Sequence, residues 1–281
     1  MDVQPLVTIA IPFFNREDYL GYAILSVINQ TYDNWEMILI DDGSSDESLK
    51  IANSYAKADK RIRVVADGHN KGLAVRLNET INMASGEYYA RMDDDDVMVV
   101  NRIETQLKYM LNHEDVDVVG SSVMIIDTNN TITHTMNLSG VTSGFIHPTI
   151  MAKTQWFKDN PYNEKLRRSQ DYELWLRTQD RYRFYNFPQP LLFYREFDAQ
   201  SLQKKIKAFK SLSPIYRNYK AYGKSFFWFV KRYVFSCFKL FVYWACHHLG
   251  FMDQLNKKKW SKELPVELCL NEDNLRESLN S

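Results

Sequence analysis

Four consecutive carboxylates, Asp93, Asp94, Asp95 and Asp96, close a strand-like run of Tyr88-Tyr89-Ala90-Arg91-Met92. Adjacent carboxylates at the end of a buried strand repel one another and lose hydration, so a cation or several hydrogen-bond donors must compensate them. A hard divalent ion, Mg2+ or Mn2+, takes oxygen ligands of this kind. The same run also suits a solvated turn in which Asp96 caps the next helix, and the four residues alone leave both readings open. Two further carboxylates stand in loop-like or helix-starting settings, Asp42 in Asp41-Asp42-Gly43-Ser44 and Asp171 in Gln170-Asp171-Tyr172. Whether these groups act together depends on the elements that carry them.

Those elements alternate. Val7-Thr8-Ile9-Ala10-Ile11 is a β-branched strand ended by Pro12. Asp18 is the expected cap of a helix whose Leu20, Ala23, Ile24, Val27 and Ile28 share one face. Strand 35–40, helix 47–57, strand 61–66, a helix opened by Asn70-Lys71-Gly72 and ended by Gly86, and strand 87–92 follow. Strands alternating with helices of this length predict a mostly parallel, doubly wound α/β sheet. In such sheets ligands bind outside the carboxyl ends of the strands, which brings Asn15, Asp42, Lys71 and the 93–96 run to one crevice. Beyond it, a helix over 102–111 and an apolar strand over 116–126 lead through a polar stretch to His147-Pro148-Thr149.

At 281 residues, 45% of them apolar, the chain can bury one large domain with an appendage. Its 35 basic and 35 acidic residues cancel, so no global field points to nucleic acid or another polyanion. Cys237, Cys246 and Cys269 stand far apart without a CxxC pair, which fits a reducing compartment and packing roles and argues against structural zinc. The first residues, Met-Asp-Val-Gln-Pro, show no basic segment and apolar core of a cleaved leader. The expected location is therefore cytoplasmic.

Six pieces in order resemble the family 2 glycosyltransferases of bacterial polysaccharide type, with their A-type nucleotide-sugar-binding fold. They are Ile11-Pro12-Phe13-Phe14-Asn15, Ile40-Asp41-Asp42-Gly43-Ser44, Asn70-Lys71-Gly72-Leu73, Gly86-Glu87-Tyr88, the Met92 to Asp96 run, and Gln170-Asp171-Tyr172. The resemblance covers roughly residues 5–197. It implies a hexosyl- or N-acetylhexosaminyl-transferase moving a sugar from a nucleoside diphosphate donor, a UDP-sugar above all, to a hydroxyl of a glycan. It implies that Asp42 meets the uridine base, that Asp93 and Asp95 hold Mn2+ or Mg2+ against the diphosphate, and that Asp171 is the base. Pro12, Asn15, Lys71, Gly72, Arg76, Asp93 and Asp94 complete the implied donor site, and His147 is a further candidate near the acceptor or the metal. Asp94 stands where the family often has a small residue, and Gln170 where it usually has an acidic one. One base without an evident carboxylate nucleophile suggests a single displacement with inversion.

A composition shift near residue 200 divides a catalytic domain, 1–200, from a helical C-terminal region, 201–281. Between Lys224 and Gly250 the chain is largely aromatic and apolar, with Lys224, Lys231, Arg232 and Lys239 at near-heptad intervals. The uncharged piece Leu240 to Met252 is too short to span a bilayer. A helix lying in the interface suits the pattern, with Lys257, Lys258 and Lys259 meeting anionic lipid; packing on the catalytic domain or a second subunit suits it equally. The membrane reading makes the enzyme peripheral on the inner face of the cytoplasmic membrane and its acceptor a lipid-linked glycan. Two rivals differ in class. A sugar-phosphate nucleotidyltransferase wants a Gly-rich basic loop after the first strand, which Pro12-Phe13-Phe14-Asn15 lacks. A non-catalytic nucleotide-sugar-binding or scaffold protein has no need to keep Asp42, Asp93, Asp95 and Asp171 together.

Overall fold

The computed structural model describes residues 4–138, 145–197 and 202–249. Strands β1 (Val7–Phe13), β2 (Trp35–Asp41), β3 (Ile62–Ala66) and β4 (Tyr88–Arg91) pair side by side in the order β3-β2-β1-β4, all parallel. Helices α1 (Leu20–Ile28), α2 (Ser48–Ala58) and α3 (Leu73–Met83) make the crossovers that parallel pairing requires. Successive strand residues point to opposite faces. Thus Val7, Ile9, Ile11 and Phe13 pack with Leu20, Ala23, Ile24 and Val27 of α1, whereas Ala10 and Tyr89 pack with Ala74, Leu77 and Ile81 of α3. Both faces are covered, and the strands read as continuous apolar runs for that reason. This is the doubly wound α/β half that the strand-helix alternation predicts.

The rest of the sheet comes from β5 (Val97–Met98), β6 (Val118–Ile126), β7 (Ile132–Met136), β8 (Met151–Lys153) and β9 (Phe184–Arg195). The order continues β4-β8-β6-β9-β5, with β7 on β6, so the nine-stranded sheet as a whole is mixed. β8 runs antiparallel to both β4 and β6, while β9 is parallel to β6. Between β6 and β8 the described chain holds β7 and one 3-10 turn, His147–Thr149, and no helix to carry a parallel crossover. Helix α4 (Arg102–Asn112) packs Ile103, Leu107 and Met110 beneath the first core, and α5 (Thr154–Asp159) and α6 (Gln170–Thr178) cover the other face.

Two helices follow the sheet, α7 (Leu202–Arg217) and α8 (Phe226–His248). α7 is tied to the start of α6 by the hydrogen bond between Ser169 Oγ and Ser211 Oγ, 2.7 Å, and by the Tyr172–Tyr216 edge contact. α8 packs on α7 through Phe209–Tyr233 and Tyr216–Trp228. Its other side leaves Phe227, Val234, Phe238 and Phe241 exposed. No helix among the described residues is long and apolar enough to cross a membrane.

Local expectations change in two places. Asp18 is exposed and does not cap α1; the Arg16 carbonyl takes the Tyr19 and Leu20 N–H groups in a turn instead. Cys237 is not a packing residue but faces solvent on α8. Lys257, Lys258, Lys259 and Cys269 lie outside the described residues, as does the side chain of Cys246.

Candidate active site

The carboxyl ends of β1, β2 and β4 open on a cleft of about 520 Å3, lined by Pro12, Asp42, Arg76 and the carboxylates Asp93, Asp94 and Asp95. Asp42 follows the last residue of β2 and accepts the N–H groups of Lys71 (2.8 Å) and Gly72 (3.1 Å) and Arg76 Nε (3.0 Å). Gly72 has φ +92°, a conformation glycine adopts without strain, and this turn is what points its N–H at Asp42. The buried Arg76 guanidinium also reaches Asp67 and Glu79, and Lys71 Nζ bridges the same two carboxylates at 2.7 and 2.8 Å. The two cations expected beside a diphosphate are thus engaged in pairs that hold the loop before α3. The Gly72 N–H, likewise, is directed at Asp42. Asn15, at φ +50°, joins the first loop to the second: its Oδ1 accepts the Ser45 N–H at 2.8 Å and its own N–H meets Ser44 Oγ at 3.0 Å. It is not among the residues that line the cleft.

The acidic run does not act as a uniform clump. Asp93, Asp95 and Asp96 each offer an oxygen, all within 4.8 Å of one another, a set of hard donors suited to a divalent cation. Asp96 is wholly buried; one oxygen accepts the Arg195 N–H at 2.9 Å and the other, Oδ2, has no hydrogen-bond partner among the described residues. An unpaired buried carboxylate oxygen beside two further carboxylates is the setting a metal ion satisfies. Asp94 points elsewhere, to the Phe14 N–H (3.1 Å) and Arg16 Nε (3.3 Å). Burial, reinforced by Asp95, pushes Asp94 up to about 7; burial, reinforced by Asp93, pushes Asp95 up to about 6. Asp96 is raised too, chiefly by burial.

A second cleft, of about 420 Å3, adjoins the first and shares Asp93, Tyr194 and Glu196 with it. Asp171 lines it from the first turn of α6, and burial raises its pKa above the ordinary carboxylate range. Arg91, fully buried at the end of β4, pairs with Asp93 and is the cation that faces both clefts' carboxylates. His147 also lines this cleft, with Nε2 hydrogen-bonded to the Tyr162 hydroxyl at 2.8 Å. Burial, helped by the nearby Arg91 charge, holds its pKa well below 6.5, so the ring is neutral. Asp42, Asp93, Asp95 and Asp171 are therefore brought to one continuous crevice. Arg16, Arg91 and the segment Tyr194 to Phe197, at and just after the end of β9, line it as well, and Asp96 lies buried beside it in the three-carboxylate set; all are missing from the sequence-based set.

The sequence model of glycosyl transferase family 2 matches residues 8–185, more than half of the chain. The chain belongs to this family. Across the family, an uncharacterized glycosyltransferase of Methanocaldococcus jannaschii is 29% identical over 276 residues, covering 91% of this chain and 95% of that one. A Bacillus subtilis protein named as the glycosyltransferase EpsE is 32% identical over 217 residues, covering 73% and 78%. Among solved structures, S. aureus TarS 1–349 in complex with UDP superposes with a TM-score of 0.60 at 17% identity, over 75% of this chain and 65% of that one. The same TarS fragment with UDP-GlcNAc gives 0.59 at 16% identity over the same shares. The likeness establishes the A-type glycosyltransferase fold.

Proposed function

We propose that the protein transfers a hexosyl or N-acetylhexosaminyl group from a UDP-sugar to a hydroxyl of a growing, lipid-linked glycan, with inversion at the anomeric carbon. The observation that carries this reading is the junction of the two clefts at Asp93: a three-carboxylate set on one side and a half-buried Asp171 on the other. TarS, which shares the fold, has been crystallised with UDP and with UDP-GlcNAc, which supports a nucleotide-sugar donor.

In this reading Asp42 keeps one oxygen toward the uracil imide while the Lys71 and Gly72 N–H groups hold the carboxylate in place. Asp93, Asp95 and Asp96 would hold Mn2+ or Mg2+, which when bound would supply Lewis-acid stabilisation of charge on the departing diphosphate. Asp171 accepts the proton of the acceptor hydroxyl as that oxygen bonds to the anomeric carbon and the bond from that carbon to the diphosphate oxygen breaks. Its raised pKa makes it a better proton acceptor than a solvated carboxylate. Neutral His147 and buried Arg91 fix the wall against which the acceptor lies. The exposed aromatic side of α8, flanked by Lys231 and Lys239, favours an anionic membrane surface as the place where a lipid-linked acceptor is met.

Replacing Asp95 with Ala tests the reading. Mn2+-dependent transfer from a panel of UDP-sugars to lipid-extracted acceptors should fall by about 10^3-fold, with the circular dichroism spectrum unchanged. Undiminished transfer would remove the metal role.

A further inference from the structure

Arg16 is the cation in the first cleft with least structural commitment. Of the three arginines on its wall, Arg76 is bound into the Asp42, Asp67 and Glu79 network, and Arg195 donates to the Asp95 and Asp127 carbonyls and to Asn130 Oδ1. Arg16 is 37% exposed, and among the described residues its guanidinium nitrogens meet the acidic run alone, with Nε on Asp94 at 3.3 Å and Nη2 on Asp95 at 3.3 Å. Its guanidinium carbon lies 5.3 Å from the centre of the Phe197 ring, which gives the flat group a face to rest on while its edge points into the cleft. Asp94, which is outside the three-carboxylate set, is itself pinned by the Phe14 N–H.

We propose that Arg16 is a stand-in counter-cation: it pairs with Asp95 while the cleft is empty, and passes to the donor's diphosphate when a divalent ion takes Asp95, with Asp94 as its fixed pivot. The inference rests on the donor reading above and adds to it a residue that binds the phosphates. Two features support the exchange. Asp95 cannot serve as a full metal ligand and as an Arg16 acceptor without crowding two cationic groups on one carboxylate. An arginine freed beside a diphosphate has the planar fork that matches phosphate oxygens. Asp94, outside the three-carboxylate set, then has a role that is not coordination.

The exchange predicts effects of opposite sign. In Arg16→Ala, calorimetric binding of Mn2+ alone should tighten about 3- to 10-fold, because a competing cation is gone. Binding of Mn2+-pyrophosphate and of Mn2+-UDP should each weaken about 10-fold at saturating metal, the loss of a charge-assisted contact. Arg16→Lys should recover part of the phosphate affinity. Asp94→Ala should keep Mn2+ binding while weakening pyrophosphate, because the pivot is lost. Weaker or unchanged Mn2+ binding in Arg16→Ala, or unchanged pyrophosphate affinity, overturns the exchange, as does loss of Mn2+ binding in Asp94→Ala. Pyrophosphate carries no base, so binding of pyrophosphate without UDP by the unaltered protein would reject the uridine reading and leave the Arg16 result to be judged separately.

Discussion

Asp42 Oδ1 accepts the Nε–H of Arg76 at 3.0 Å, and the guanidinium that donates it is 1% exposed. A pair of this kind is harder to break than to replace, because removing one member strands the other without water. Arg76→Ala leaves Asp42 and Glu79 short of their main counter-charge. Urea unfolding of this variant should show a loss of about 3–5 kcal/mol. Arg76→Lys should recover little, since an ammonium cannot span Asp42, Asp67 and Glu79 together.

Asp171 touches the second cleft only. In Asp171→Asn the amide keeps the shape of the site but cannot take a proton. Turnover should fall by about 10^2- to 10^4-fold with UDP affinity unchanged, read by steady-state kinetics beside calorimetry. A matching loss of UDP affinity would place Asp171 in donor binding instead.

The raised pKa values of Asp94, about 7, and Asp95, about 6, set a stability slope in the metal-free protein. Both exceed the 3.8 of an ordinary Asp, so as pH falls from about 8 to about 6.5 the native state takes up protons that the unfolded chain does not. Stability therefore rises as pH falls through this window. His147, held neutral when folded, opposes this rise in the lower part of the window, because its ring takes up a proton around 6.5 in the unfolded chain; above that pH the two carboxylates outweigh it. Melting in EDTA should occur at higher temperature at pH 6.5 than at pH 8, with pH values chosen to bracket about 7. Asp94→Asn should flatten the slope, and saturating Mn2+ should oppose it, because the ion competes with protons for the carboxylates.

The outer side of α8 gives a fourth test. Phe238 and Phe241 are each 60% exposed. Changing both to Ser should release the protein from vesicles of anionic phospholipid in a sedimentation assay, with binding to zwitterionic vesicles weak from the outset. Equal sedimentation of the variant would assign this face to a protein partner.

The sequence made the parallel half of the sheet legible because its strands are short, largely apolar runs that give way to loops after Phe13, Asp41 and Arg91, and its helices keep one apolar face; β1 runs through Pro12, where the sequence suggests its end. Asp42, the acidic run and Asp171 were legible as carboxylates at the ends of such elements. Their division of labour was not. That Asp96 joins the metal-suited set depends on Arg195, 99 residues away, and that Asp94 leaves it depends on Arg16, 78 residues away. Lys71 and Arg76 entered the implied donor site through the resemblance, while the partners they share, Asp67 and Glu79, carry no motif. The antiparallel return of β8 follows from the absence of a crossover helix among the described residues after β6, a feature that strand propensity does not announce.

The reversal of direction between β4 and β8 has a consequence for how such a molecule can change. The hydrogen bonds of Asp42 are with Phe13, Asn70, Lys71, Gly72 and Arg76, all between β1 and α3, and the walls of the second cleft at Val123, Met136, Phe145 and Ile146 come from the stretch that runs from β6 to β8. Insertions or substitutions in that stretch can reshape what enters beside Asp171 without disturbing a hydrogen bond to Asp42. One half can stay constant while selection experiments with the other.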